Sequence, residues 1–508
     1  MASLAKRYMG IETEYGIYID GQGPESSVSA SRKLVELYPA PYAAPWNYHH
    51  EHPRRDARGF VVAGLSIDPV DARYDAPGTA TTDNHLRVDR MLPNGARLYN
   101  DHGHPEYATP EALSIVDLIA ADRAGERIMQ DLAQKAYQDT KTPVRLQKNN
   151  TDGNGSSYGT HENYQTLREL PIQTLIDDLA PHFATRILYC GAGKVGCEEP
   201  GISGVDFQIS QRADFFKVLA SVDTLYNRPL VNTRDEAHDD DVLYRRLHVI
   251  CGDANLCETA TLLKIGTTHL VLRLIEDHVD LSAIHLSDPV SAVKTVSRNP
   301  FVLPVLPLVT GSYTTALEVQ YFLQRAANQR YRDTDSETNL VLDTWKMALD
   351  DYANDPLLLA DRVDWVAKYA LLHQFSVEEG VPFTADIIRS LDIAYHALDP
   401  EEGLYFGLYE AHQVQRQVTE QQVLMAIEYP PKNALKALVR GFVARELNHA
   451  VVSISWNQIL LKLESGAVSG MSLDGLSGLD SVTLQTALSD VTTADQFLTC
   501  IKRLIQPV

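Results

Sequence analysis

NGARLYNDHGHPEYAT, residues 94–109, is the stretch on which the fold turns. As a β-strand, residues 97–101 put Arg97, Tyr99 and Asp101 on one face and Leu98 and Asn100 on the other, because successive side chains alternate. Arg, Tyr and Asp side by side make a poor core face, since a buried carboxylate or guanidinium must be paired. They make a good floor for an active site. The Gly103-His104-Pro105 turn then brings Glu106 back towards Asp101. Upstream, a strand expected over residues 8–19 turns Glu12 and Glu14 to a common side. Carboxylate oxygens converging in this way are hard ligands suited to Mg²⁺. The plain alternative is an Arg97–Asp101 salt bridge at a strand end with a solvated Glu106.

Working outward, Ile115, Leu118, Ile119, Ile128, Met129 and Leu132 recur at helical spacing and predict a long amphipathic helix. The middle of the chain alternates strand-like runs (145–148, 207–210 and 247–251) with helices such as 259–277, and residues 311–397 read as mostly helical. Between about 39 and 93 lies a proline-rich irregular stretch holding HHEHPRRDAR (residues 49–58). Structureless stretches of that length are uncommon inside compact domains. Pro430-Pro431 precedes a last lobe with Trp456 and a Gly/Ser-rich run, 465–477, expected to be a loop. The expected class is α+β: a mixed or antiparallel sheet with helices on one face, residues 1–428, followed by a small C-terminal domain, 429–508.

Two more clusters carry chemistry. KNNTDGNGSSYGTHENY, residues 148–164, is a Gly/Asn-rich loop whose backbone can approach a ligand, though GxxxxGK[ST] is absent. At its end His161 and Glu162 can complete a metal shell. Further on, Arg212, Arg234, Arg245 and Arg246 are candidates for a local basic pocket gripping carboxylate or phosphate in bidentate fashion. Ion pairing with Asp239, Asp240 and Asp241 is the structural alternative. No GxSxG is present, and none of the five cysteines forms a CxxC, so neither a serine hydrolase elbow nor a disulfide or zinc framework is expected.

The net charge of −22 over 508 residues argues against a general nucleic-acid binder, which needs a broad basic surface. No apolar run follows Lys6 and Arg7, and no window approaches a membrane span. No secretory leader and no membrane partner are therefore expected; the reading is cytoplasmic and compatible with a monomer.

The motifs MGIETEYG (9–16), NGARLYNDHGHPEY (94–107), KNNTD (148–152), YGTHENY (158–164), SQRADF, NTRDE, RRLHVICGDANL and DWVAK (364–368), in this order, resemble the Pup ligase/Pup deamidase family. The resemblance runs from Met9 to beyond Trp456 and implies a glutamine-synthetase-like fold. Two features lean to the depupylase branch: RDARGF (55–60) within the irregular stretch, and DHGHPEY, which is one residue longer in the ligase branch.

What the resemblance implies is specific. Asp101 matches the catalytic aspartate; Glu12, Tyr99 and Glu106 match magnesium positions, joined by Glu14 and His161; Arg97, Thr109 and Trp456 match nucleotide contacts. Arg212, Arg234, Arg245 and Arg246 would hold the C-terminus of Pup. The cofactors implied are ATP (or ADP with phosphate) and Mg²⁺, and the partners are Pup and pupylated proteins. The activity implied is depupylase: hydrolysis of the isopeptide bond between the C-terminal Glu of Pup and substrate lysines, and deamidation of Pup where it ends in Gln. Asp101 would serve as nucleophile or as a base that activates water. The alternatives are a Pup–protein ligase, a non-catalytic Pup-binding regulator, and a small-molecule carboxylate–amine ligase on the same fold. The chain departs from the family at PPKNALKALVRG (430–441), where Lys436 replaces an expected Arg and loses the planar fork.

Overall fold

Six short segments build the sheet that the alternating patterns anticipate, in a computed structural model that describes residues 5–23, 26–39, 46–48, 51–65, 88–101, 103–476 and 478–505. They are β1 (Met9–Glu14), β2 (Asp89–Met91), β3 (Arg97–Asp101), β4 (His104–Ala108), β5 (Thr160–Leu167) and β6 (Tyr244–Val249). Their order is β6-β5-β1-β4-β3-β2, and every neighbouring pair is antiparallel. The strand expected over 8–19 breaks after Glu14. Tyr15 is fully buried, and Gly16–Ile19 leave to pair with Val144–Gln147 in a separate ladder. Gly16 permits this, because a Cβ there would lie 2.5 Å from the Tyr158 hydroxyl oxygen.

The back of the sheet is covered by helices. In α1 (Ile115–Thr140) the Ser114 side chain accepts from the Asp117 N–H, a cap worth about 1 kcal/mol. Ile115, Leu118 and Ile119 join Met9, Ile11, Tyr164, Leu247 and Val249 in the main core. One turn after another, Ile128, Met129 and Leu132 join Leu98 and Tyr107 in a second core. The helix thus spans both halves of the sheet like a beam. Behind it lie α2 (Ile172–Thr185) and α3 (Glu258–Glu276), the latter buried along its whole length. The helical region expected over 311–397 includes α4 (Ala316–Tyr331), α5 (Ser336–Asn354) and α6 (Asp364–Glu379).

A third core forms around α7 (Leu435–Glu446), with Val439, Val443, Ile454, Ile459, Phe497 and Ile501 packed together. Trp46 and Met91 complete it from the N-terminal half. The Gly/Ser-rich run 465–477, expected as a loop, is instead largely ordered. Val468–Ser472 is a strand in full register with Gln458–Lys462. Polar side chains suit an edge strand with a solvated face, so composition alone misread it. Of the irregular stretch 39–93, His49 and His50 lie outside the described residues, whereas Arg55–Asp56 and Phe60–Val61 form a short hairpin. Among the described residues, no helix is long and apolar enough to cross a membrane.

Candidate active site and metal centre

Strand register assembles the front face of the sheet. Glu14 lies opposite Glu106, Glu106 opposite Tyr99, and Glu12 opposite His161. Directly opposed residues share a face, so Glu12, Glu14, Tyr99, Asp101, Glu106 and His161 project together. They form two adjoining groups rather than one shell: Glu12 with His161 and His248, and Glu14 with Asp101 and Glu106. Within each, one ligand atom per residue lies within 4.8 Å of the others.

His248 was not singled out in the sequence, although the signal was present. It stands two residues after Arg246, and alternation puts both on the front. The same rule sends Glu162 to the back. There its carboxylate takes two bonds from Arg186, at 2.5 and 2.8 Å, and one from the Tyr164 hydroxyl at 2.6 Å. It therefore has no part in the shell it was expected to complete.

Burial opposes ionisation of Glu12, but hydrogen bonds from His161 and His248 and the charge of Arg246 outweigh it and hold the carboxyl well below its usual range. Burial and Arg246 pull His248 down to about 3, leaving a neutral imidazole able to ligate a cation. Burial likewise opposes Glu14, yet His104, His161 and the Gly159 N–H bring it to about 2. The Gly159 N–H donates to Glu14 at 2.8 Å, and a side chain at 159 would meet that carboxylate at 2.6 Å. Glu106 is the opposite case: burial, then the charges of Asp101, Glu14 and Glu12, push it well above the carboxylate range. Its Oε2 is buried without a hydrogen-bond partner. Two like charges about 5 Å apart repel by roughly 3–4 kcal/mol at an effective dielectric of ~20. Carboxylates crowded in this manner fit a divalent cation, which turns the repulsion into coordination. The salt-bridge alternative does not hold: Glu106 is buried, and Arg97 pairs with Asp89 at 2.6 Å.

The remaining residues fall in three places. Thr109 and Trp456 line one cavity of about 110 Å³ that runs from Glu12 and Arg246 to Lys436 and Arg440 of α7. Thr109 also accepts the Ile11 N–H through its hydroxyl at 3.0 Å. Arg97 stands beside this wall, its guanidinium 3.8 Å from the Tyr99 ring centre and 4.1 Å from that of Trp46. Trp46 in turn meets Trp456 edge-on at 5.2 Å.

The four arginines expected to share a pocket are dispersed. Arg212 is buried beside Glu14 and donates to the Tyr158 carbonyl, with its Nε unpartnered. Arg246 donates to Asn163 at 2.8 Å and to Glu236 at 3.0 Å, and reaches Glu12 at 3.5 Å. Arg234 sits in a bridge to Asp56. Arg245 is on the back of the sheet, donating to the Leu170 carbonyl, because adjacent strand residues face opposite ways. It is unavailable to a front-face ligand. Asp239, offered as an arginine partner, pairs with Lys436 at 2.7 Å.

The model of the family described as Pup-ligase protein matches residues 7–460. The depupylase of Acidothermus cellulolyticus is 41% identical over 469 residues, covering 90% of this chain and 91% of that one. The Pup–protein ligase of Acidimicrobium ferrooxidans is 38% identical over 479 residues, covering 92% and 95%. Among solved structures, the Pup ligase PafA in complex with Pup superposes with a TM-score of 0.77 at 28% identity, covering 99% of this chain and 96% of that one. PafA in complex with ADP gives 0.71 at 29% identity, covering 88% and 95%.

Proposed function

This chain belongs to the Pup-ligase family, and on that footing we propose that it is a depupylase, an amide hydrolase that releases Pup from substrate lysines. The observation that carries the reading is Asp101 within a cluster of carboxylates on the open face of the sheet, with Arg212 and Arg246 at its two sides. Glu12, His161 and His248 would hold one Mg²⁺, and Glu14, Asp101 and Glu106 another, with Tyr99 bonded to Glu106. The ADP complex of PafA supports a nucleotide in the Thr109–Trp456 cavity, closed by the lobe that begins at about residue 429.

In the reaction, an ionised Asp101 oxygen attacks the γ-carbonyl of Pup's C-terminal Glu. The isopeptide C–N bond breaks, and the lysine amine leaves after taking a proton from water. Water then adds to the resulting aspartyl anhydride, freeing the Pup carboxylate and restoring Asp101. When bound, Mg²⁺ would supply positive charge that keeps Asp101 ionised and lowers its basicity, favouring the nucleophile over the base. The arginines near the clusters hold the carboxylates of the Pup terminus. Nucleotide serves as a resident cofactor and is not consumed. The same attack on a C-terminal Gln releases ammonia instead.

The RDARGF motif, which resembles the depupylase branch, is what leans to hydrolase over ligase, and it is built into the fold. Asp56 accepts from the Thr233 hydroxyl at 2.7 Å, the Ala57 N–H donates to Thr233 O, and the Asp235 N–H donates to Arg55 O. RDARGF is thus fastened to the connection that leads into β6. Ligase is the second reading, because both solved structures described above are of a Pup ligase. Incubating the protein with a purified Pup–protein conjugate, with and without ATP and Mg²⁺, should release free Pup. Conjugate and ADP formed from Glu-ended Pup and a lysine protein, without cleavage in the first assay, would select the ligase.

A further inference from the structure

Among the described residues, five other than glycine adopt a left-handed backbone: Lys141, His238, His278, Asp333 and His412. Four of them directly end or follow helices, where a left-handed residue is routine. His238 is different. It lies in the connection before β6, on the wall of the Thr109–Trp456 cavity, with φ of 54°. Strained backbone of this kind persists only where its surroundings hold it, and it clusters at ligand sites.

Here both sides are held. Asp239 is gripped by Lys436 at 2.7 Å and by the Gln165 amide at 2.7 Å, and Glu236 by Arg246 at 3.0 Å and the His52 N–H at 2.7 Å. His238 shares the cavity wall with Glu12 and Arg246, and the charges of Arg246, Glu12, His248 and Arg97 all act on its imidazole. Among the described residues it has no hydrogen-bond partner.

Resting on the nucleotide reading above, we propose that His238 is a binding residue for the polyphosphate of a nucleoside di- or triphosphate, its left-handed backbone aiming an imidazole N–H at a phosphate oxygen. The surroundings suit the class. The cavity is lined by Trp456, with the Arg440 guanidinium over its ring, and by Glu12 with Arg246.

The test compares ADP binding, in the presence of Mg²⁺, by the full-length wild type and His238→Gly. Glycine adopts the left-handed conformation freely, so the thermal midpoint of the variant should be no lower than that of the wild type. Its ADP affinity should nevertheless fall by about 10-fold, the worth of one hydrogen bond to a charged group, while affinity for Pup without nucleotide stays unchanged. His238→Asn, which tolerates the same backbone and keeps a donor, should recover part of the loss and serves as the probe if the glycine variant is unstable. ADP affinity of His238→Gly within twofold of the wild type, or an equal loss of Pup affinity, would overturn the assignment. A wild type that binds neither ADP nor ATP would overturn the nucleotide reading itself, and this inference with it.

Discussion

The two faces of one sheet treat charge in opposite ways. At the back, Glu162 and Arg186 are both buried, and the carboxylate is satisfied by that guanidinium and by Tyr164. Arg7 and Glu276 form a second internally closed pair, with bonds of 2.7 and 2.9 Å. At the front, Glu14, Asp101 and Glu106 face one another, and Glu106 is driven towards its neutral form by burial and its carboxylate neighbours. Charge whose partner is another part of the chain is structural. Charge gathered against like charge is kept for something the chain does not supply.

The sharpest way to break this contrast is Asp101→Asn. Cleavage of a Pup conjugate should fall about 10⁴-fold, or ~5 kcal/mol of activation free energy, with the thermal midpoint unchanged or higher. A stability loss like that of a back-face change would erase the distinction. Glu162→Ala is the mirror experiment: leaving Arg186 buried and unpaired should lower the unfolding free energy by about 3–5 kcal/mol, read from denaturant curves.

A third test addresses the cation. Mg²⁺ at 100 times its Kd should raise the stability of the metal-free protein by about 2.7 kcal/mol for each site filled. Glu106→Gln should leave the metal-free stability close to that of the wild type, whose Glu106 is already driven towards its neutral form, and shrink that gain, because an amide cannot ionise to bind the cation; an unchanged gain would remove Glu106 from the site. Smallest is the comparison of neighbours in β6. Arg246→Ala should lower kcat/KM for conjugate cleavage by about 10–100-fold, the worth of a charge-assisted contact. Arg245→Ala should leave kcat/KM near the wild-type value and cost stability instead. Equal effects of the two on kcat/KM would mean that the strand's alternation does not divide their roles.

Much of this is legible in the sequence. Alternation puts Arg97, Tyr99 and Asp101 on one side of a strand over 97–101, and β3 spans Arg97–Asp101. The helix carrying Ile115 to Leu132 and the one expected over 259–277 both form, the second as Glu258–Glu276. Both patterns are local: period two and period 3.6 survive without knowledge of neighbours. What local pattern misses is of another kind. Grouping Arg245 with Arg246, or Glu162 with His161, takes closeness in sequence for a shared face, whereas strand geometry separates adjacent residues. The Gly and Ser content of 465–477 suggests a loop, but the pairing of Val468–Ser472 with Gln458–Lys462 depends on the partner strand.

The class of fold, the face of each strand and the acidic residues around Asp101 follow from the order of residues alone, since these depend on alternation and on the cost of burying charge. The division of the acidic and histidine residues into two clusters, the place of His248 in the first and the exclusion of Arg245 from both emerge only once the strands are paired. Glu12 and His161 meet at 3.3 Å although 149 residues separate them. Such meetings are set by the register between distant strands, and a one-residue slip in that register would turn every one of these side chains to the other face.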